Sequence, residues 1–120
     1  MTVVVTARGE TADAEVDSRF GRTAFLLQID TASGTCQAHS NHPNLQAAQG
    51  AGIQTAQRVA DLAPDALITG NLGPKAFRVL QAAGIRAYRC KAGTAAEAVR
   101  HFQEGNLTEL TAANVEGHWV

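Results

Sequence analysis

Apolar positions along this chain of 120 residues come first in short strand-like runs and later at every third or fourth place. That change of period sets out the elements. Thr2 to Ala7 is an unbroken run of β-branched and small residues, too uniformly apolar for a half-exposed strand, so a central strand buried on both faces is predicted. Arg8 to Ser18 is a polar, acidic loop. Thr23 to Asp30 reads as a second strand, Thr31-Ala32-Ser33-Gly34 as a hairpin turn with Gly34 left-handed, and Thr35 to Ser40 as a third strand pairing back.

Asn41 to Asn44 is a loop, since Pro43 biases His42 out of helical geometry. From about Leu45 to Leu62 the period becomes helical: Ala48, Ala51 or Gly52, Thr55, Ala56, Val59 and Leu62 form a stripe of small side chains that can lie close to a sheet. Gly50 and Gly52 would each cost about 1 kcal/mol in a helix interior, so the regular helix is expected to begin nearer Gly50. Ala66 to Thr69 is a short buried strand. Pro74 to Ala83 is a helix with proline at its first position and Gly84 as its left-handed stop. Ile85 to Cys90 is the last strand, and Thr94-Ala95-Ala96-Glu97 is a capping box opening a third helix that ends at Gly105. Residues 106–120 show no firm period and form a C-terminal tail, docked through His118 and Trp119 or loose. The predicted order is β-β-β-α-β-α-β-α: one α/β domain over 1–105, with a mixed five-stranded sheet and helices on both faces.

Composition narrows the function. A net charge of −1 excludes a general nucleic-acid binder, and six aromatic residues supply few stacking platforms. No apolar run approaches the ~18 residues of a membrane span. Met1 to Val5 goes straight into a strand pattern with neither a basic lead nor a cleavage-site pattern, so a secretory signal is not expected there. Cys36 and Cys90, outside any Cys-x-x-Cys pair, read as free thiols of a reducing compartment, and a cytoplasmic protein is expected.

Chemistry is expected where parallel strands end. There Ile68-Thr69-Gly70-Asn71-Leu72-Gly73-Pro74-Lys75 makes a strand-to-helix turn with bare backbone at Gly70 and Gly73, a positive helix end, and the charges of Lys75 and Arg78 one turn in. This is an anion site in outline. Asp17-Ser18-Arg19-Phe20-Gly21-Arg22 is the second marked stretch: Arg19 and Arg22 could grip an oxyanion or thiometallate, or Asp17 could pair one of them while Phe20 enters the core. His39, His42, Cys36 and Cys90 are conceivable soft ligands, with small core residues the alternative for the cysteines; the metal ligands stay undetermined. The glycine turn matches neither the P-loop nor Gly-x-Gly-x-x-Gly. No cluster of strand-end carboxylates or activated nucleophile is visible, so no catalytic residue is assigned.

Three segments taken together resemble a known family: Asp17-Ser18-Arg19-Phe20-Gly21-Arg22, Gly50-Ala51-Gly52-Ile53-Gln54-Thr55-Ala56, and Ile68 to Phe77, with Leu80-Gln81-Ala82-Ala83-Gly84-Ile85 and Gly93-Thr94 following. They are similar to the dinitrogenase iron–molybdenum cofactor biosynthesis family (NifX and the C-terminal part of NifB). That family includes cofactor carriers and stand-alone relatives such as the orange protein, a holder of a molybdenum–copper sulfide cluster. The resemblance implies a ribonuclease-H-like fold and a non-catalytic binder of an anionic metal–sulfur cluster, of molybdenum–copper sulfide or iron–molybdenum type. It also implies Arg19, Phe20, Arg22, Gly50, Gly52, Gly70, Asn71, Leu72, Gly73 and Lys75 as cofactor-binding positions, with Gly21 and Pro74 in the motifs and His42 on a neighbouring loop. Protein partners in cofactor delivery, or in redox or division complexes, are expected, and neither nucleic acid nor membrane. The rival readings are an interaction module without metal, and an enzyme acting on a phosphoryl ligand.

Overall fold

The computed structural model describes residues 1–41 and 50–114. Strand β1 (Thr2–Ala7) lies at the centre of the sheet, with Val3 to Ala7 fully enclosed. On one side it pairs antiparallel with β2 (Phe25–Asp30), which carries β3 (Cys36–Ser40), also antiparallel. On the other it pairs parallel with β4 (Ala66–Thr69), Val4 opposite Leu67. Beyond β4 come β5 (Arg86–Arg89), parallel, and β6 (Thr108–Leu110), antiparallel, giving the order β3-β2-β1-β4-β5-β6. Gly34 takes the left-handed conformation expected at the β2–β3 turn (φ 77°).

The sheet among the described residues has six strands where the sequence pattern predicts five. The extra one, β6, comes from the stretch assigned to the tail. Thr108-Glu109-Leu110 shows no alternation of its own, and it is a strand because β5 offers it a partner, Tyr88 opposite Glu109.

Three helices among the described residues cover the two faces. Helix α1 (Ala51–Leu62) and helix α2 (Pro74–Ala82) share one, where Ala56, Val59, Ala76 and Leu80 pack on Val4, Leu67 and Ala87 together with Phe20 and Leu72. Helix α3 (Ala95–Gln103) takes the other, where Ala95, Ala98 and Val99 pack on Val3, Val5 and Ile68. Tyr88 meets Phe102 edge to face at 4.9 Å. The small-residue stripe of α1 and the uniformly apolar run of β1 thus lead to the packing they predict. Gly50 (φ 76°) precedes α1 directly, in keeping with a helix that starts there; the predicted stretch from Leu45 to Gln49 lies outside the described residues.

Candidate anion site at the strand ends

The ends of β1 and β4 are tied together by buried hydroxyls. The Thr6 hydroxyl lies 2.7 Å from the Asp17 carbonyl and 2.9 Å from Thr69 Oγ1, and the Asp17 N–H donates to Thr6 O at 2.9 Å. This fixes the start of the 17–22 segment against the strand ends. Buried Asp17 then accepts from the Arg19 N–H (3.0 Å) and from Arg19 Nε (3.5 Å). The Asp17–Arg19 pair foreseen as an alternative is therefore present, and Phe20 does enter the core, with no exposed surface. The Arg19 side chain nonetheless stays 58% exposed, and its pair uses Nε alone.

The segment 17–22 touches the first turn of α1 and the end of β4. A Cβ on Gly21 would stand 2.9 Å from Gly52 N and 3.0 Å from Gly52 Cα, and one on Gly70 would stand 2.6 Å from Ser18 Cα. Backbone meets backbone at both places. The Asn71 N–H donates to Ser18 O at 2.7 Å, and Arg19 and Asn71 form a one-pair parallel bridge. The three motif segments are thus brought together, stitched through their glycines. Gly70 is bare for the chain's own Ser18, a closer guest than any external anion. Behind this seam, buried Asn41 donates to Thr23 O (3.0 Å) and Thr55 Oγ1 (3.1 Å), and the Thr55 hydroxyl donates to Gly21 O (3.3 Å). That network ties α1 to the same segment.

Among the described residues, neither the start of α1 nor that of α2 has a side-chain cap, and neither has an acidic residue in its first turn. Gly73 precedes α2 in extended conformation and Pro74 occupies the first helical position, as predicted. Lys75 and Arg78 are exposed on α2, and Arg22 is half-buried. Arg89, opposite Thr69 at the end of β5, shares the face of Ala87, two residues before it. Its Nε is buried with no hydrogen-bond partner among the described residues. The arrangement offers N–H groups and cations to a negative guest.

Metal ligation by side chains has less to work with. Among the described residues, no three His, Cys, Asp or Glu side chains gather as a metal site. Cys36 sits opposite Ile29, which pairs with Val3 near the start of β1, whereas Cys90 follows Arg89 at the far end of the sheet. The two thiols are apart, free, and pushed up in pKa by burial, with Glu97 adding to the rise at Cys90. His39 hydrogen-bonds Gln28 (3.0 Å). His42 lies outside the described residues. The donor set therefore suits an anion held by hydrogen bonds and charge.

Of the predicted positions, Arg19, Gly50, Gly52, Asn71, Gly73 and Lys75 come to this end of the sheet, with Arg22 beside them. Phe20 and Leu72 are wholly buried and anchor their loops from below. Sequence reasoning missed Thr6, Thr69, Asn41, Thr55 and Asn114. The last makes four hydrogen bonds to Gly70, Asn71 and Leu72 from the stretch assigned to the tail. A separate groove of about 340 Å³ lies between α2 and β5–β6, lined by Phe77, Leu80, Ile85 and Leu110 among others, and no predicted cofactor-binding residue lines it.

Comparison with known proteins bears on this geometry. The family model described as dinitrogenase iron-molybdenum cofactor matches residues 1–105. The apo form of the orange protein from Desulfovibrio gigas is 36% identical and superposes with a TM-score of 0.91, covering 95% of this chain and 96% of that one. The NMR structure of a candidate NifB protein of the DUF35 family from Thermotoga is 34% identical with a TM-score of 0.82, covering 97% and 98%. An uncharacterized protein from Methanocaldococcus jannaschii is 28% identical over 93 residues, 76% of this chain and 79% of that protein.

Proposed function

The chain belongs to the dinitrogenase iron–molybdenum cofactor family, and from that membership we propose that it binds and carries an anionic metal–sulfur cluster without transforming it. The observation that carries this reading is the seam of Gly21, Gly52, Ser18 and Gly70. It joins the first turn of α1 to the turn that leads from β4 into α2, with Arg19 and Arg22 on the joining segment and Lys75 in the first turn of α2. A sulfide cluster is larger than a phosphate and spreads its charge, so it needs a broad array of N–H donors and cations more than one tight loop. We favour a molybdenum–copper sulfide cluster, because similarity to the orange protein extends over nearly all of both chains; an iron–molybdenum type is the related choice. Hydrogen bonds and charge would hold it, with His42 as a candidate side-chain ligand. The working compartment is the reducing cytoplasm, and the partners are a protein that hands over the cluster and one that receives it.

Tetrathiomolybdate with copper, added anaerobically, is expected to give a coloured complex at one cluster per chain. Lys75→Ala and Arg22→Ala are each expected to weaken loading about tenfold, the scale of one lost charge-assisted contact. Titration followed by absorbance and metal analysis measures both effects. A wild-type chain that takes up no thiometallate would sink the reading and favour an interaction module instead.

A further inference from the structure

Asn114 lies beyond the residues that the family model matches, yet it is built into the glycine turn. Its backbone N–H donates to Leu72 O at 3.1 Å, and its Oδ1 accepts from the Leu72 N–H at 2.7 Å. Its Nδ2 donates to Gly70 O and to Asn71 Oδ1, each at 3.3 Å. A side-chain amide has one oxygen acceptor and two N–H donors, and here the oxygen and both N–H groups have partners on the same turn. Ser18 holds Asn71 from the other side. The carbonyl groups of Gly70 and Leu72 are thereby engaged by the chain's own donors, just before the uncapped start of α2. A carbonyl left loose there would place negative charge beside an incoming anion.

We propose that Asn114 is a positioning residue of the anion turn, a staple delivered from beyond β6 that sets the backbone of Gly70 to Leu72 for the guest. This rests on the reading of that turn as the cluster site. An amide suits the task because it supplies donors and acceptor together without charge. Aspartate would keep the acceptor for Leu72 but lose both donors and add a repelling charge. Binding of the guest and docking of residue 114 then strengthen each other by the same factor, since linkage is reciprocal.

Two measurements test this on the full chain. In the unloaded protein, Asn114→Ala should speed amide hydrogen exchange at Leu72 about tenfold while leaving Val4 in β1 unchanged. With tetrathiomolybdate and copper as probe, Asn114→Ala should load about tenfold more weakly, and Asn114→Asp more weakly still, although it retains the Leu72 contact. Unchanged exchange at Leu72 in Asn114→Ala overturns the staple, whatever is seen with the cluster. Faster exchange with undiminished loading, or aspartate loading as well as asparagine, overturns the positioning role. A wild-type chain that fails to load removes the carrier reading, and the positioning role with it, while the exchange result still stands on its own.

Discussion

Helices α3 and α2 begin in opposite ways. At α3 every early N–H is satisfied from within: Ala95 and Ala96 donate to Ala14 O and Ala12 O, both at 2.9 Å, Glu97 to Thr94 Oγ1 at 3.1 Å, and Ala98 to Thr94 O at 2.9 Å. The Glu97 carboxylate returns to the Thr94 N–H at 2.9 Å and complements the positive helix end. At α2, Gly73 and Ala76 stand where Thr94 and Glu97 stand in α3, and proline takes the first helical position. The amides of Lys75 and Ala76 hydrogen-bond no described residue, and the first turn holds no acid. One chain thus seals one helix completely and leaves another open. The difference is what separates a structural helix start from one suited to receive an anion, and it lies in side chains that the second start omits.

The comparison can be broken from either end. The largest effect is expected from Gly70→Ala. The new methyl group would stand 2.6 Å from Ser18 Cα and 2.9 Å from Ser18 O, atoms of backbone that cannot swing aside. Separation of the two loops should cost about 1–3 kcal/mol in urea unfolding and abolish loading. Gly34→Ala is the control: its φ of 77° is strained for alanine, but nothing lies within 4 Å, so about 1 kcal/mol is lost and loading is kept. Next comes Gly73→Ser, which would give α2 the cap it lacks. The serine oxygen should occupy a first-turn N–H and reduce loading about tenfold, read by the same absorbance titration.

The sealed end should respond in stability alone. Thr94→Ala removes the cap and is expected to cost about 1 kcal/mol with loading unchanged. The smallest effect is the acid response. Hydrogen bonds from the backbone and side chain of Thr94 hold the Glu97 carboxyl below its ordinary value of 4.5. A folded-state pKa below the unfolded one means that the stabilisation is complete above the ordinary glutamate range and disappears as pH falls through the lowered value. A fall in the protection factor of the Thr94 amide in acid, present in the wild type and absent in Glu97→Gln, is the expected signature.

What the sequence made legible follows from how far apart the interacting groups lie. The capping box spans four residues, and Gly34, Gly84 and Pro74 act through their own backbone, so each could be read locally and each stands as predicted. The three motif segments could be recognised only as a set, because the glycine contacts that join them, Gly21 to Gly52 and Gly70 to Ser18, cross long stretches of chain. The same distance hid β6, whose three residues carry no period, and hid Asn114, which is one asparagine in a polar stretch until Leu72 is placed beside it. For Arg19 and Phe20 the residues allowed two meanings, and packing chose between them: Phe20 is core, while Arg19 is paired yet still open.

The staple at residue 114 also sets an order in time. A chain leaves the ribosome from its N-terminus, at roughly 5–20 residues per second, and folds as its parts emerge. Leu72 is made 42 residues before the asparagine that fixes it. The glycine turn therefore stays incomplete during synthesis, after β1, β4 and α2 have emerged. A nascent chain cannot finish this turn until residue 114 has been added, so a guest that needs the finished turn would meet it only after that point.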